Sequence, residues 1–168
     1  MTKKMTLLFA LVVLCASANA QTLFDEEITI PAGFAPTEIV MPPSPLTTQV
    51  LFIGGTDMVQ TTPTYGNPAG EQVAKEWHDF IGFTPDETGQ SLGWVSVNHE
   101  MIYQDDRIGD GGGMTVFRVS RDPITGMLNI VDQQLEDGRR GKFFNVDFVN
   151  TVGETGMNCG GISSVVDG

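Results

Sequence analysis

The later half of the chain is cut into short runs in which apolar and polar residues alternate, and this rhythm limits the fold more than any other feature. Residues 92–97 carry Trp94, Val95 and Val97, residues 114–119 read Met, Thr, Val, Phe, Arg, Val, and residues 143–149 alternate again. A period of two is that of a strand with one buried face. Asp122-Pro123-Ile124-Thr125-Gly126 leads into a further apolar run at 127–131, with proline near the start and glycine near the end of the turn, as a hairpin uses them. Short antiparallel strands joined by polar turns favour an all-β fold, a β-propeller or alternatively a β-sandwich, over any α/β design. The chain is too short for a period in the 40s to be scored, so repeats do not themselves establish the propeller.

The first half is less regular. Residues 22–34 alternate weakly and read as an opening strand, while residues 35–45 hold Pro36, Pro42, Pro43 and Pro45 and read as extended linker. Residues 50–53 form a short apolar strand ending at Gly54-Gly55, and the next twenty, with Pro63, Gly66, Pro68 and Gly70, look like an excursion over the surface. The one stretch that suggests a helical turn is 73–80, where Trp77 and Phe80 lie three apart.

Lys3 and Lys4, the apolar residues 5–14, and Ala18-Asn19-Ala20 before Gln21 form the three-part signature of a secretory signal peptide over residues 1–20. Leu14 is too bulky for the residue before a lipid-modified Cys15. The apolar run is also shorter than the roughly 20 residues that span a bilayer, and no later segment reaches that length. The expectation is an exported protein, periplasmic or extracellular, with no integral membrane segment once the signal is cleaved. Residues 21–50 are then an N-terminal extended segment and 51–168 a β-rich domain. Val165-Val166-Asp167-Gly168 ends on a hairpin turn signal with no strand after it, so the domain reads as the N-terminal part of a longer one; a disordered terminus is the plainer alternative.

Acidic side chains number 21 against 9 basic ones, a net charge of -12, and loss of Lys3 and Lys4 widens the gap. Such a surface repels nucleic acid and anionic membrane. The excess serves solubility, or some of the carboxylates bind hard cations such as calcium.

Three places could carry chemistry. The first is Asn98-His99-Glu100 at the end of a predicted strand, where an amide, an imidazole and a carboxylate can bind metal or polarise a substrate. Alternation points His99 and Glu100 to opposite faces, so only one easily serves a given site. A zinc-protease helix is excluded because Tyr103 stands where the second histidine is needed. The plain reading is a solvated turn. The second is Asp105-Asp106-Arg107-Ile108-Gly109-Asp110-Gly111-Gly112-Gly113, which has the composition of a calcium loop. It fails the EF-hand pattern, with Ile108 third and Phe117 twelfth from Asp106, and reads equally as an ordinary acidic loop. The third is Cys159, the only cysteine after signal removal, set in Met157-Asn158-Cys159-Gly160-Gly161. It reads as a metal ligand, as a nucleophile with His99 as base, or as a small buried hydrophobe. No intramolecular disulfide is possible, and a zinc site built on cysteine pairs is excluded.

Together these segments resemble the PhoX-type alkaline phosphatases, secreted bacterial enzymes. The likeness runs from His78 to Ile162: His78-Asp79-Phe80 with Ile81-Gly82-Phe83, then Gly93-Trp94-Val95-Ser96-Val97-Asn98-His99-Glu100, the strand led by Gly112-Gly113, and Gly156-Met157-Asn158-Cys159-Gly160-Gly161-Ile162. The resemblance implies a β-propeller whose central iron and calcium ions hydrolyse phosphate esters of small molecules. It makes Cys159 an iron ligand and Glu100 a further metal ligand. After Gly161 the chain continues Ile162-Ser163-Ser164, where the family runs through threonine, proline, tryptophan and glycine. That departure keeps open a second expectation, a non-catalytic secreted β-rich protein that binds carbohydrate or a cell surface.

Overall fold

The structure, a computed structural model, describes residues 32–33, 40–42, 44–62, 69–102, 112–153 and 155–161. The chain divides into two units, Met1–Thr48 and Gln49–Gly168. In the first unit the described residues form no strand or helix, as the proline-rich composition predicts. Thr48 donates to the Met41 sulfur there. The signal sequence and most of the expected opening strand lie outside the described residues.

The second unit is all-β, with no helix among its described residues. Its strands are β1 (Met58–Thr61), β2 (Gly70–Val73), β3 (His78–Pro85), β4 (Gly93–His99), β5 (Met114–Arg121), β6 (Leu128–Ile130), β7 (Gln133–Gln134), β8 (Arg140–Gly141) and β9 (Phe143–Asn145). Seven form one open sheet in the order β2-β1-β9-β5-β4-β3, with β6 pairing the far end of β5; β7 and β8 make a separate ribbon. All pairings are antiparallel except β1 with β9, joined in parallel at Gln60 and Phe144, so the sheet is mixed and does not close into a barrel. Among the described residues no helix is long and apolar enough to cross a membrane.

The alternation read at 92–97 and 114–119 becomes β4 and β5, paired from Gly93↔Val119 to Asn98↔Met114. The proline-glycine turn returns the chain into β6, with Gly126 N–H donating to Asp122 O at 2.9 Å. One face carries the core: Val59, Val95, Val97, Phe117, Val119 and Phe143, with Leu51, Phe52 and Ile130 packed against them. Phe52 is the centre of the cover. Its ring lies 5.0 Å from Phe143, 5.9 Å from Phe117 and 4.8 Å from His78, on which it stacks.

Four local expectations change. The stretch after Gly54-Gly55, expected to run over the surface, instead supplies β1 and β2, with Val59 and Thr61 buried. Residues 73–80 contain no helical turn: β2 ends at Val73 and β3 starts at His78. The intervening backbone is engaged elsewhere, since Gly55 N–H donates to Ala74 O and Ala74 N–H to Asp57 O. Trp77 also takes a left-handed conformation, with φ 56°, that a helix cannot continue. Residues 50–53 form no strand either; the Ile53 carbonyl accepts from Thr56 and Asp57 and closes a turn. Gly54 is required in that turn, because a Cβ would stand 2.5 Å from Lys75 O. In β9 the expected alternation is absent: Phe143, Phe144 and Asn145 are all buried. This strand lies between β1 and β5 and is covered on both faces, so no period of two is imposed.

Candidate functional site

Asn98 and His99 are the last two residues of β4, and strand geometry sends them to opposite faces of the sheet. His99 follows Val97 to the core side and is 1% exposed. Its Nδ1 lies 3.0 Å from Glu76 O and its Nε2 2.8 Å from Thr115 Oγ1. A carbonyl only accepts, so Nδ1 carries the proton and Nε2 accepts from the threonine hydroxyl. Burial lowers the pKa of His99 from 6.5 to about 4; the Glu76 hydrogen bond works against this, and the charges of His78 and Lys75 add to it. His99 is therefore a neutral tie between β4, β5 and the turn before β3.

Beside it is a cavity of about 10 Å³ lined by Lys75, His99, Gly113, Met114, Thr115, Asn145 and Val146, room for one water-sized body. Lys75 is 5% exposed, and its ammonium donates to Gly112 O at 2.9 Å.

Asn98 turns the other way, and its Nδ2 lies 3.4 Å from Cys159 O and 3.3 Å from Gly160 O. These contacts join residues 61 and 62 positions apart. The cysteine loop is held at three further points. Met157 N–H donates to Met101 O at 3.1 Å, Asn158 Nδ2 donates to Gly113 O at 3.1 Å, and Gly161 lies against the Phe80 ring. A Cβ on Gly161 would fall 2.5 Å from Phe80 Cδ1, and one on Gly112 would fall 2.7 Å from the Asn158 side chain. Both glycines are close-approach positions, where a larger residue would push the loop off the sheet. Met157, with φ 50°, supplies the bend that brings the loop back.

Of the residues expected to act, Cys159 is exposed on this loop. Glu100 is half-buried just past β4, with its backbone N–H bonded to Trp77 O at 2.8 Å. Both flank the contact between Met101 and Met157. His99 is not placed to activate Cys159, because both of its ring nitrogens are engaged on the core side. Residues 103–111, most of the acidic loop, lie outside the described residues. Among the described residues no three of His, Cys, Asp and Glu gather where they could hold a metal ion. Cys159 and Glu100 thus do not by themselves fit iron or calcium, which take fuller donor sets. Sequence reasoning missed Lys75 and Thr115, whose types give no local signal of a buried role; Asn158 stands in the cysteine motif, but its contact with a backbone carbonyl 45 positions away has no local signal.

No family model, curated protein or solved structure matches the chain.

Proposed function

We propose that this chain is the N-terminal part of an exported, PhoX-like hydrolase of small phosphate esters, built as a β-propeller and working in the periplasm or outside the cell. One observation carries the reading. The four segments on which the resemblance rests, spread from His78 to Gly161, lie against one another: Gly161 on Phe80 of β3, Cys159 and Gly160 on Asn98 of β4, and Asn158 on Gly113 ahead of β5. β3, β4 and β5 meet as successive antiparallel strands; what supports the reading is that the loop bearing Cys159, far along the chain, is brought onto their ends. The meeting is made by the small and amide residues of the motif, whose roles here are positional: Asn98 holds two loop carbonyls, and the glycines permit contact. Cys159 and Glu100 are offered at the border of that contact as donors, with the rest of any ion's ligands to come from beyond the described residues.

A second reading, a non-catalytic protein that binds carbohydrate or a cell surface, draws on the half-exposed indole of Trp77 at the turn into β3; an exposed aromatic body with a polar handle suits a wet binding surface. Substituting Cys159→Ser in the full-length protein separates the two. The phosphatase reading predicts phosphomonoesterase activity with bound iron in the parent and loss of both in the variant. A parent protein without such activity or iron, or a variant that keeps both, removes it.

A further inference from the structure

Among the described residues β3 is an edge strand, and the apolar face of the sheet extends onto it beyond its described cover. The register Ile81↔Val97 and Phe83↔Val95 sets Ile81 and Phe83 on the face that carries the core valines. Val97 is 2% exposed, whereas Ile81 is 63% and Phe83 41% exposed. Among the described residues the outer backbone is open as well. His99 N–H points to Gly113 on the β5 side, so by alternation Val97 and Val95 do the same, and their partners Ile81 and Phe83 turn their N–H and C=O groups away from β4. Among the described residues only β4 pairs with β3.

Edge strands are ordinarily blunted by lysine, proline, bulges or inward charge. β3 has a bulge between His78 and Ile81 and a proline at its far end, and the stretch between them has no such guard. The opposite edge, β2, is half as long and carries Glu71, so a copy of itself would bring carboxylates together.

We propose that β3 pairs antiparallel with β3 of a second copy of this chain, about a two-fold axis through Gly82, continuing the sheet from one protomer into the next. About that axis Ile81 lies opposite the second copy's Phe83, and Phe83 opposite its Ile81, so the two most exposed apolar side chains of the strand cover each other twice. The self-complementary spacing of Ile81 and Phe83 about Gly82 points to a second copy as the occupant, and the charge pattern permits it. Each chain carries -12, yet residues 80–85 carry no charge, and the one carboxylate of the strand, Asp79, falls toward the uncharged Pro85. Two acidic molecules can meet along this strip without opposing carboxylates, and a charged partner finds nothing on it to bind. Centring the axis on Ile81 instead would place Asp79 against Phe83 and lose both apolar pairs. The inference is independent of the catalytic reading.

Sedimentation of the full-length protein over a range of concentrations, combined with amide hydrogen exchange, tests it. The expected result is a concentration-dependent doubling of mass, with exchange at Ile81 and Phe83 slowing as the dimer forms. Ile81→Lys, at an already exposed position, is expected to abolish both effects and, at concentrations where the parent is monomeric, to leave the thermal midpoint unchanged. A protein that is monomeric throughout overturns the proposal, as does a dimer that survives Ile81→Lys. A monomer with both amides protected also overturns it and assigns the edge to another segment of the same chain.

Discussion

Acid should loosen this fold through His99 before it reaches most of the carboxylates. In the native state the imidazole is neutral, with its pKa lowered from 6.5 to about 4, chiefly by burial. A folded-state pKa below the unfolded one means that the unfolded chain binds the proton more tightly. The stability that this gives is therefore complete above pH 6.5 and is lost as pH falls through the interval down to 4. At about 1.4 kcal/mol per tenfold difference in proton affinity, the interval amounts to about 3 kcal/mol, a large share of the margin of a small domain. The comparison is with His99→Gln, which cannot gain this charge. Urea unfolding of both proteins at half-unit steps from pH 7 to pH 4 should show the parent losing about 3 kcal/mol more than the variant. Carboxylates titrate in both proteins and cancel in the difference. If the two lose stability in parallel, His99 does not resist protonation, and its placement as a buried neutral tie is wrong.

Two further substitutions probe the two faces of the sheet. Phe52→Ala removes the ring that touches Phe117, Phe143 and His78 and should lower unfolding free energy by about 3 kcal/mol, measured by urea titration; a loss under 1 kcal/mol would show that the cover lies elsewhere. Gly161→Ala drives a methyl into the Phe80 ring and should cost about 1–3 kcal/mol of overpacking or detach the loop. The check is alkylation of Cys159, which should speed up if the loop detaches, and an unchanged rate with unchanged stability would refute the close approach.

The legible part of the fold was the part with one wet face. β4, β5 and the turn into β6 follow from alternation and from Asp122 to Gly126, because each side of those strands meets a different medium. β9 was seen as a strand but not as a fully buried one. β1 and β2 give no strand signal in the sequence, because Gln60, Thr61, Glu71 and Gln72 make them polar. β1 is placed by its parallel contact with a residue 84 positions later, which no local window contains. The helical turn expected at 73–80 fails for a similar reason. The three-residue spacing of Trp77 and Phe80 is real, but the backbone there is taken by Gly55 and Asp57. At the candidate site, Asn98, His99 and Cys159 stood out by type; their distinct roles follow only from which face each side chain leaves.

That division at the end of β4 has a consequence for how the site can change. His99 and Asn98 are neighbours in sequence, but His99 binds the turn before β3 to β5 through Glu76 and Thr115, and Asn98 holds the loop that bears Cys159. The two are linked by the rigidity of one strand rather than by a shared hydrogen bond. Gly113 ties the arrangement further, since its carbonyl accepts from both His99 N–H and Asn158 Nδ2. A perturbation on the core side that shifts the end of β4 therefore moves the cysteine loop with it, whereas loss of the Asn98 amide loosens the loop, leaving it held at Met101, Gly113 and Phe80, and leaves the core contacts of His99 in place. Whatever chemistry the loop performs is set on a strand end whose position the hydrophobic core determines.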